Sequence, residues 1–178
     1  MMQTPICGLV VWFTGLSGAG KTSLAIRVQG ELLRLGLASS LLDSDDLRKT
    51  INADLGFSEA DRRENVRRIS QLAIHRAASG MIVLVSAIAP FSDQRAGVRL
   101  NALRYVEVFV DSPLSVCEAR DTKGLYRLAR LGVIPNFTGI DSPYDAPELP
   151  DVHCRTDKES MDESVEKVMI KVLAICTA

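Results

Sequence analysis

A chain of 178 residues is long enough for one domain with a substantial core, and 47% hydrophobic against 24% charged residues is ordinary for a globular protein. A formal charge of −1 offers no basic field for tracking a nucleic-acid backbone. No uninterrupted apolar run approaches the roughly 18 residues of a membrane span, and the four cysteines (Cys7, Cys117, Cys154 and Cys176) form no C-x-x-C pair that would suggest zinc. The expectation is a single-domain cytoplasmic enzyme over residues 1–178, its thiols reduced and buried as small hydrophobes, with no nucleic-acid or membrane partner.

Taken in chain order, the first element is an apolar, β-rich stretch, Ile6–Thr14, that leads straight into Gly15–Thr22, GLSGAGKT. This is a complete G-x-x-x-x-G-K-[ST] phosphate loop. A helical pattern follows, with Leu24, Val28, Leu32 and Leu35 on one face and Gly36 as its stop. Strand, glycine loop and helix together make the motif a site. Its glycines let successive N–H groups converge on phosphate oxygens, and the helix N-terminus adds partial positive charge. The triphosphate-binding residues are therefore Gly15, Ser17, Gly18, Ala19, Gly20, Lys21, Thr22 and Ser23. Lys21 reaches the β- and γ-phosphates as a point charge, and the Thr22 hydroxyl is aimed at Mg²⁺.

A second strand, Ala38–Leu42, ends at the acidic cluster 43–46 (DSDD). Ser58 reads as an N-cap with Asp61 three residues on, opening a helix to about Ser79 with Val66, Ile69 and Ala73 buried and Gly80 ending it. Met81–Ile88 is a continuous apolar run of the kind found in central parallel strands. A strand over Tyr105–Val110, a helix over Pro113–Arg120, a short strand over 152–155 and a closing helix, Met161–Cys176, complete the alternation. The implied fold is α/β, a three-layer P-loop NTPase fold around a mainly parallel sheet. Residues 121–150 break the pattern and read as a lid. Gly15, Asp43, Ala89 and Asp111 fall at strand C-terminal ends and are expected to share one crevice.

Four separated blocks say more about the acceptor: LLDSDDLR (41–48), NADLGFSEADRRENVRRI (52–69), VEVFVDSPLSVCEARDTKGLYRLAR (106–130) and NFTGIDSPYDAPELP (136–150). Their order and spacing closely resemble adenylylsulfate kinases, from Gly15 to Pro150. The resemblance implies transfer of the γ-phosphoryl of ATP, with Mg²⁺, to the 3′-hydroxyl of adenosine 5′-phosphosulfate, and a homodimer. It implies that Phe57 and Phe137 hold the acceptor's adenine between them, where stacking is worth roughly 1–3 kcal/mol per base. It further implies acceptor contacts from Asp45, Arg48, Arg62, Asn65, Ile88, Ala89 and Lys123. Arg127 and Arg130 become catalytic lid cations closing over ATP beside Lys21. Asp43 takes the base or metal-orienting role, so that the metal site is Thr22 with Asp43.

Two positions depart from the family pattern. Ala89 stands where many relatives have a serine associated with a phosphorylated enzyme form, which implies direct in-line transfer here. Ser44 stands where the family has glycine, a residue often used for positive φ or close approach to a ligand. Ser44 either rests in a permissive turn, narrows the acceptor pocket, or adds a hydrogen bond. Two other readings fit the residues: a P-loop kinase of another nucleotide or small hydroxyl acceptor, and a nucleotide-binding paralogue without turnover. Positions near Arg120 and Thr156 are candidates for the ATP adenine.

Overall fold

The computed structural model describes residues 7–177. Strand β1 (Leu9–Thr14) is buried at every position, as a central parallel strand must be when helices cover both faces. Then come α1 (Lys21–Arg34), β2 (Ser39–Asp43), a one-turn α2 (Ser44–Leu47) and α3 (Glu59–Ala78). The chain continues through β3 (Ile82–Ser86), α4 (Ser92–Asn101), β4 (Tyr105–Asp111), α5 (Leu114–Arg120) and α6 (Leu125–Arg130), and ends with β5 (Val152–Arg155) and α7 (Met161–Cys176). The sheet order is β2-β3-β1-β4-β5, and all its pairings are parallel.

Alternation along β1 divides the core in two. Leu9, Val11 and Phe13 face α1 (Leu24, Val28, Leu32) and α7 (Val165, Val168, Val172), whereas Val10 and Trp12 face α3 (Val66, Ile69, Ala73) and α4 (Val98). This is the expected three-layer arrangement. Ser58 caps α3, accepting from the Asp61 amide, and Ser160 closes a full capping box with Glu163 at the start of α7. Helices α2, α4 and α6 lie outside the sequence expectations: α2 buries no residue, α4 only Arg95 and Val98, and α6 only Tyr126 and Ala129 within the expected lid.

The expectation of four free thiols fails for one pair. Cys7 and Cys176 are joined in a disulfide across 169 residues of sequence, while Cys117 and Cys154 are free and buried. Linear spacing hid the pair. The approach to β1 and the last turn of α7 meet only because α7 packs back on the sheet beside α1. Closing so long a loop constrains the unfolded chain, for which about 2–5 kcal/mol of stabilisation is typical. Reduction should therefore lower the melting temperature by roughly 5–15 °C, read in thermal melts with and without a thiol reductant. An unchanged midpoint would show that the bond contributes nothing. No helix among the described residues is long and apolar enough to cross a membrane.

Candidate active site

The carboxyl ends of β1, β2 and β3 open into a cavity of about 650 Å³, roofed by residues of α3, α5 and the lid. Its lining takes Ser17, Gly18, Gly20, Lys21, Thr22 and Ser23 from the phosphate loop. The rest of the lining includes Arg48, Phe57, Arg62, Asn65, Ile88, Ala89 and Phe137, together with Asp43, Ser44, Asp45 and Lys123. Five cations (Lys21, Arg48, Arg62, Arg120 and Lys123) stand against the carboxylates of Asp43 and Asp45, a balance suited to polyanions.

Two phosphate-loop positions shape the backbone without lining the cavity. Gly15 has φ +149°, and a Cβ there would come within 2.2 Å of the Val110 carbonyl oxygen, so only glycine fits. Ala19 is fully buried beneath the loop. The Lys21 ammonium donates to the carbonyls of Gly15 (2.9 Å) and Leu16 (2.8 Å). Burial pushes its pKa down to about 8, partly offset by the nearby Asp45 carboxylate.

Thr22 and Asp43 meet as the sequence suggested. Thr22 Oγ1 donates to Asp43 Oδ2 at 2.7 Å, while Asp43 Oδ1 accepts the Asp45 amide at 2.8 Å and so caps α2. A third oxygen joins them, one that the sequence reading does not single out. Ser86 Oγ lies 3.0 Å from Thr22 Oγ1, because parallel pairing puts Ser86 level with Asp43. Its only sequence signal was a hydroxyl at the C-terminal end of an otherwise apolar run. Hydroxyl and carboxylate oxygens in small number fit Mg²⁺, which keeps waters and phosphates as most of its ligands.

On the acceptor side, the Arg48 guanidinium lies 4.5 Å above the Phe57 ring and donates to the Gly56 carbonyl (2.8 Å). Phe57 is 58% exposed, so the face away from Arg48 is open for stacking. Phe137 is half-buried and edge-on to Tyr126, with ring centroids 5.0 Å apart. Lys123 and Asp45, both lining the cavity, are bonded to each other. Arg62 is buried rather than reaching freely into solvent: it bonds the Phe57 carbonyl, Thr138 and Ser142, tying α3 to the lid.

One expectation, the shared crevice of Gly15 and Asp111, needs correction. Arg127 and Arg130 do not line the cavity. Tyr126 and Ala129 form the inward face of α6, which turns the next position after each outward, and Arg130 is held by Glu118 at 2.7 Å. Gly15 and Asp111 do not share the crevice's lining either; the Asp111 carboxylate is spent on His153 at 2.9 Å. Finally, Ser44 is the first helical residue of α2 and has no positive φ, so nothing in its backbone calls for glycine. Arg120, by contrast, does line the cavity, bonding the Gly18 and Thr156 carbonyls.

With this geometry in place, the similarities to known proteins take on meaning. The adenylylsulphate kinase family profile matches residues 7–155. An adenylyl-sulfate kinase of Synechococcus sp. (strain JA-3-3Ab) is 54% identical over 162 residues, covering 91% of this chain and 92% of the relative. The Mycobacterium tuberculosis APS kinase CysC, solved in complex with AMPPNP and APS, superimposes with a TM-score of 0.88 at 50% identity, over 94% of this chain and 98% of that one. A hexameric APS kinase from Thiobacillus denitrificans gives a TM-score of 0.69 at 30% identity, over 93% of this chain and 29% of that one.

Proposed function

The chain belongs to the adenylylsulphate kinase family, and from that premise we propose how its own residues perform the reaction. The protein transfers the γ-phosphoryl group of ATP to the 3′-hydroxyl of adenosine 5′-phosphosulfate (APS), giving 3′-phosphoadenosine 5′-phosphosulfate. The observation that carries the assignment of roles is that Lys21 and Thr22 share one cavity with Phe57 and Phe137. A donor's phosphates and an acceptor's base can therefore be held in a single space.

In this reading the phosphate-loop amides and Lys21 hold the β- and γ-phosphates, and Arg120 with the loop at Thr156 borders the ATP base. Thr22 and Asp43 would hold Mg²⁺, which neutralises charge on the transferring phosphates when bound. Asp43 also faces the attacking hydroxyl and orients it or accepts its proton. Phe57 and Phe137 stack on the acceptor adenine, while Arg48, Arg62, Asn65, Asp45 and Lys123 surround its phosphosulfate and ribose. Ile88 and Ala89 line the same space, and the lack of a hydroxyl on Ala89 leaves direct in-line transfer from ATP. Arg127 is exposed on α6 and would reach the phosphates only by movement of the lid. Arg130 contributes by pinning α6 to α5 through Glu118.

Purified protein should release ADP from ATP·Mg²⁺ far faster when APS is added. Phe57→Ala should raise KM for APS about tenfold while leaving KM for ATP alone. Binding without APS-stimulated release would identify a paralogue that has lost turnover; stimulation only by another hydroxyl compound would reassign the acceptor. Assembly as a homodimer is part of the same reading, and light scattering giving any mass other than two 19.4 kDa chains would reject it.

A further inference from the structure

One departure from the family motif has acquired a partner. Asn65 on α3 is 4% exposed, and its side-chain amide is held at both ends. Its Oδ1 accepts from Asn52 Nδ2 at 3.0 Å, and its Nδ2 donates to Ser44 Oγ at 3.1 Å. Asn52 is fully buried, and its Oδ1 has no hydrogen-bond partner among the described residues. Asn52 thus donates one N–H to Asn65 while its own Oδ1 goes unpaired, at the usual cost of a buried unsatisfied polar atom. Asn52, Asn65 and Ser44 form a line running from the core to the cavity, where Asn65 and Ser44 are lining residues.

The chemistry of a carboxamide gives this line a consequence. An asparagine can present either oxygen or nitrogen to a ligand, and the two ends differ in size very little. With Asn52 occupying Oδ1 and Ser44 occupying one hydrogen of Nδ2, the second Nδ2 hydrogen is the group Asn65 still has to offer a ligand. A glycine at position 44 would leave Nδ2 unanchored. We infer that Ser44 is a positioning residue of the acceptor subsite: through its Oγ it holds the Asn65 side chain in place to contact the bound acceptor. The inference rests on the acceptor being APS, as proposed above. It replaces the idea that a side chain at position 44 merely narrows the pocket.

The test is a double-mutant cycle on the full chain, measuring kcat and KM for APS and ATP, with APS affinity by calorimetry in the presence of ADP·Mg²⁺. Ser44→Ala should raise KM for APS about tenfold, as expected from freeing one hydrogen-bonded polar group, and leave KM for ATP within about twofold. Ser44→Gly should behave like Ser44→Ala. In an Asn65→Ala background, Ser44→Ala should change APS affinity less than about twofold, because its partner is already gone. An unchanged KM for APS in Ser44→Ala, a gain in turnover in Ser44→Gly, or equal losses from Ser44→Ala with and without Asn65 would each overturn the inference while leaving the kinase reading intact. Failure of the unsubstituted chain to phosphorylate APS would instead remove the kinase reading, and this inference with it.

Discussion

Replacing Lys21 with methionine should lower kcat by about 10²–10³-fold while leaving the fold in place, because the residue supplies charge to the transferring phosphates and little packing. Its ammonium donates to the Gly15 and Leu16 carbonyls at 2.9 and 2.8 Å, so the lysine is curled over the phosphate loop. Burial has brought its pKa down to about 8. A polyphosphate beside it favours the charged form, so nucleotide binding should take up a proton when the pH is near or above 8. Affinity for ADP or ATP should accordingly be greatest below pH 8 and decline as the pH rises through that value, by at most tenfold per pH unit. The Lys21→Met protein should lack this component of the profile. The same depression has an opposite consequence for stability: the unfolded chain holds this proton up to about pH 10.5, so the residue weakens the fold below about pH 8 and that cost fades as the pH climbs toward 10.5. Calorimetric titrations of ADP from pH 7 to 9 would decide the matter. A flat affinity profile in the unsubstituted protein would show that Lys21 is fully protonated throughout.

The second large effect is expected at Asp43. This carboxylate does two jobs: one oxygen caps α2 through the Asp45 amide, and the other accepts the Thr22 hydroxyl. Asp43→Asn separates them. The amide oxygen can still cap α2, and its nitrogen can donate to Thr22 Oγ1 with the direction of that bond reversed. Stability should therefore change by no more than about 1 kcal/mol. Activity should fall about 10²–10⁴-fold, since the variant can neither take a proton from the acceptor hydroxyl nor offer an anionic oxygen to Mg²⁺. Asp43→Ala should lose the cap as well and melt earlier. A turnover number for Asp43→Asn within tenfold of the unsubstituted protein would reduce Asp43 to a helix cap. Varying Mg²⁺ divides the two catalytic roles. A loss recovered at high Mg²⁺ points to metal orientation, and one that persists points to proton transfer.

Much of this site was legible before any coordinates, and the reason is local chemistry. The phosphate loop announces itself because each glycine answers a backbone requirement within a few residues; Gly15, Gly18 and Gly20 all have positive φ. The Ser58 cap and the closing helix from Met161 to Cys176 were equally readable, since caps and apolar periods act over one or two turns. The helices α4 and α6 were not, because both are short and each buries only two side chains. Resemblance placed Phe57, Asn65 and Phe137 around one acceptor, and these side chains do line one cavity.

Other features depend on residues far apart in the chain. Ser86 meets Thr22 because parallel pairing sets it level with Asp43, and Ser44 reaches Asn65 because α3 folds over the end of β2. The direction of Arg130, the burial of Arg62 and the joining of Cys7 to Cys176 are likewise settled by which surfaces pack together. Backbone conformation and periodicity are written into short stretches of residues, so the phosphate grip and the α/β order could be read directly. Side-chain partnerships arise only when sheet register and helix packing bring distant segments to within about 3 Å, a distance that no spacing along the chain encodes.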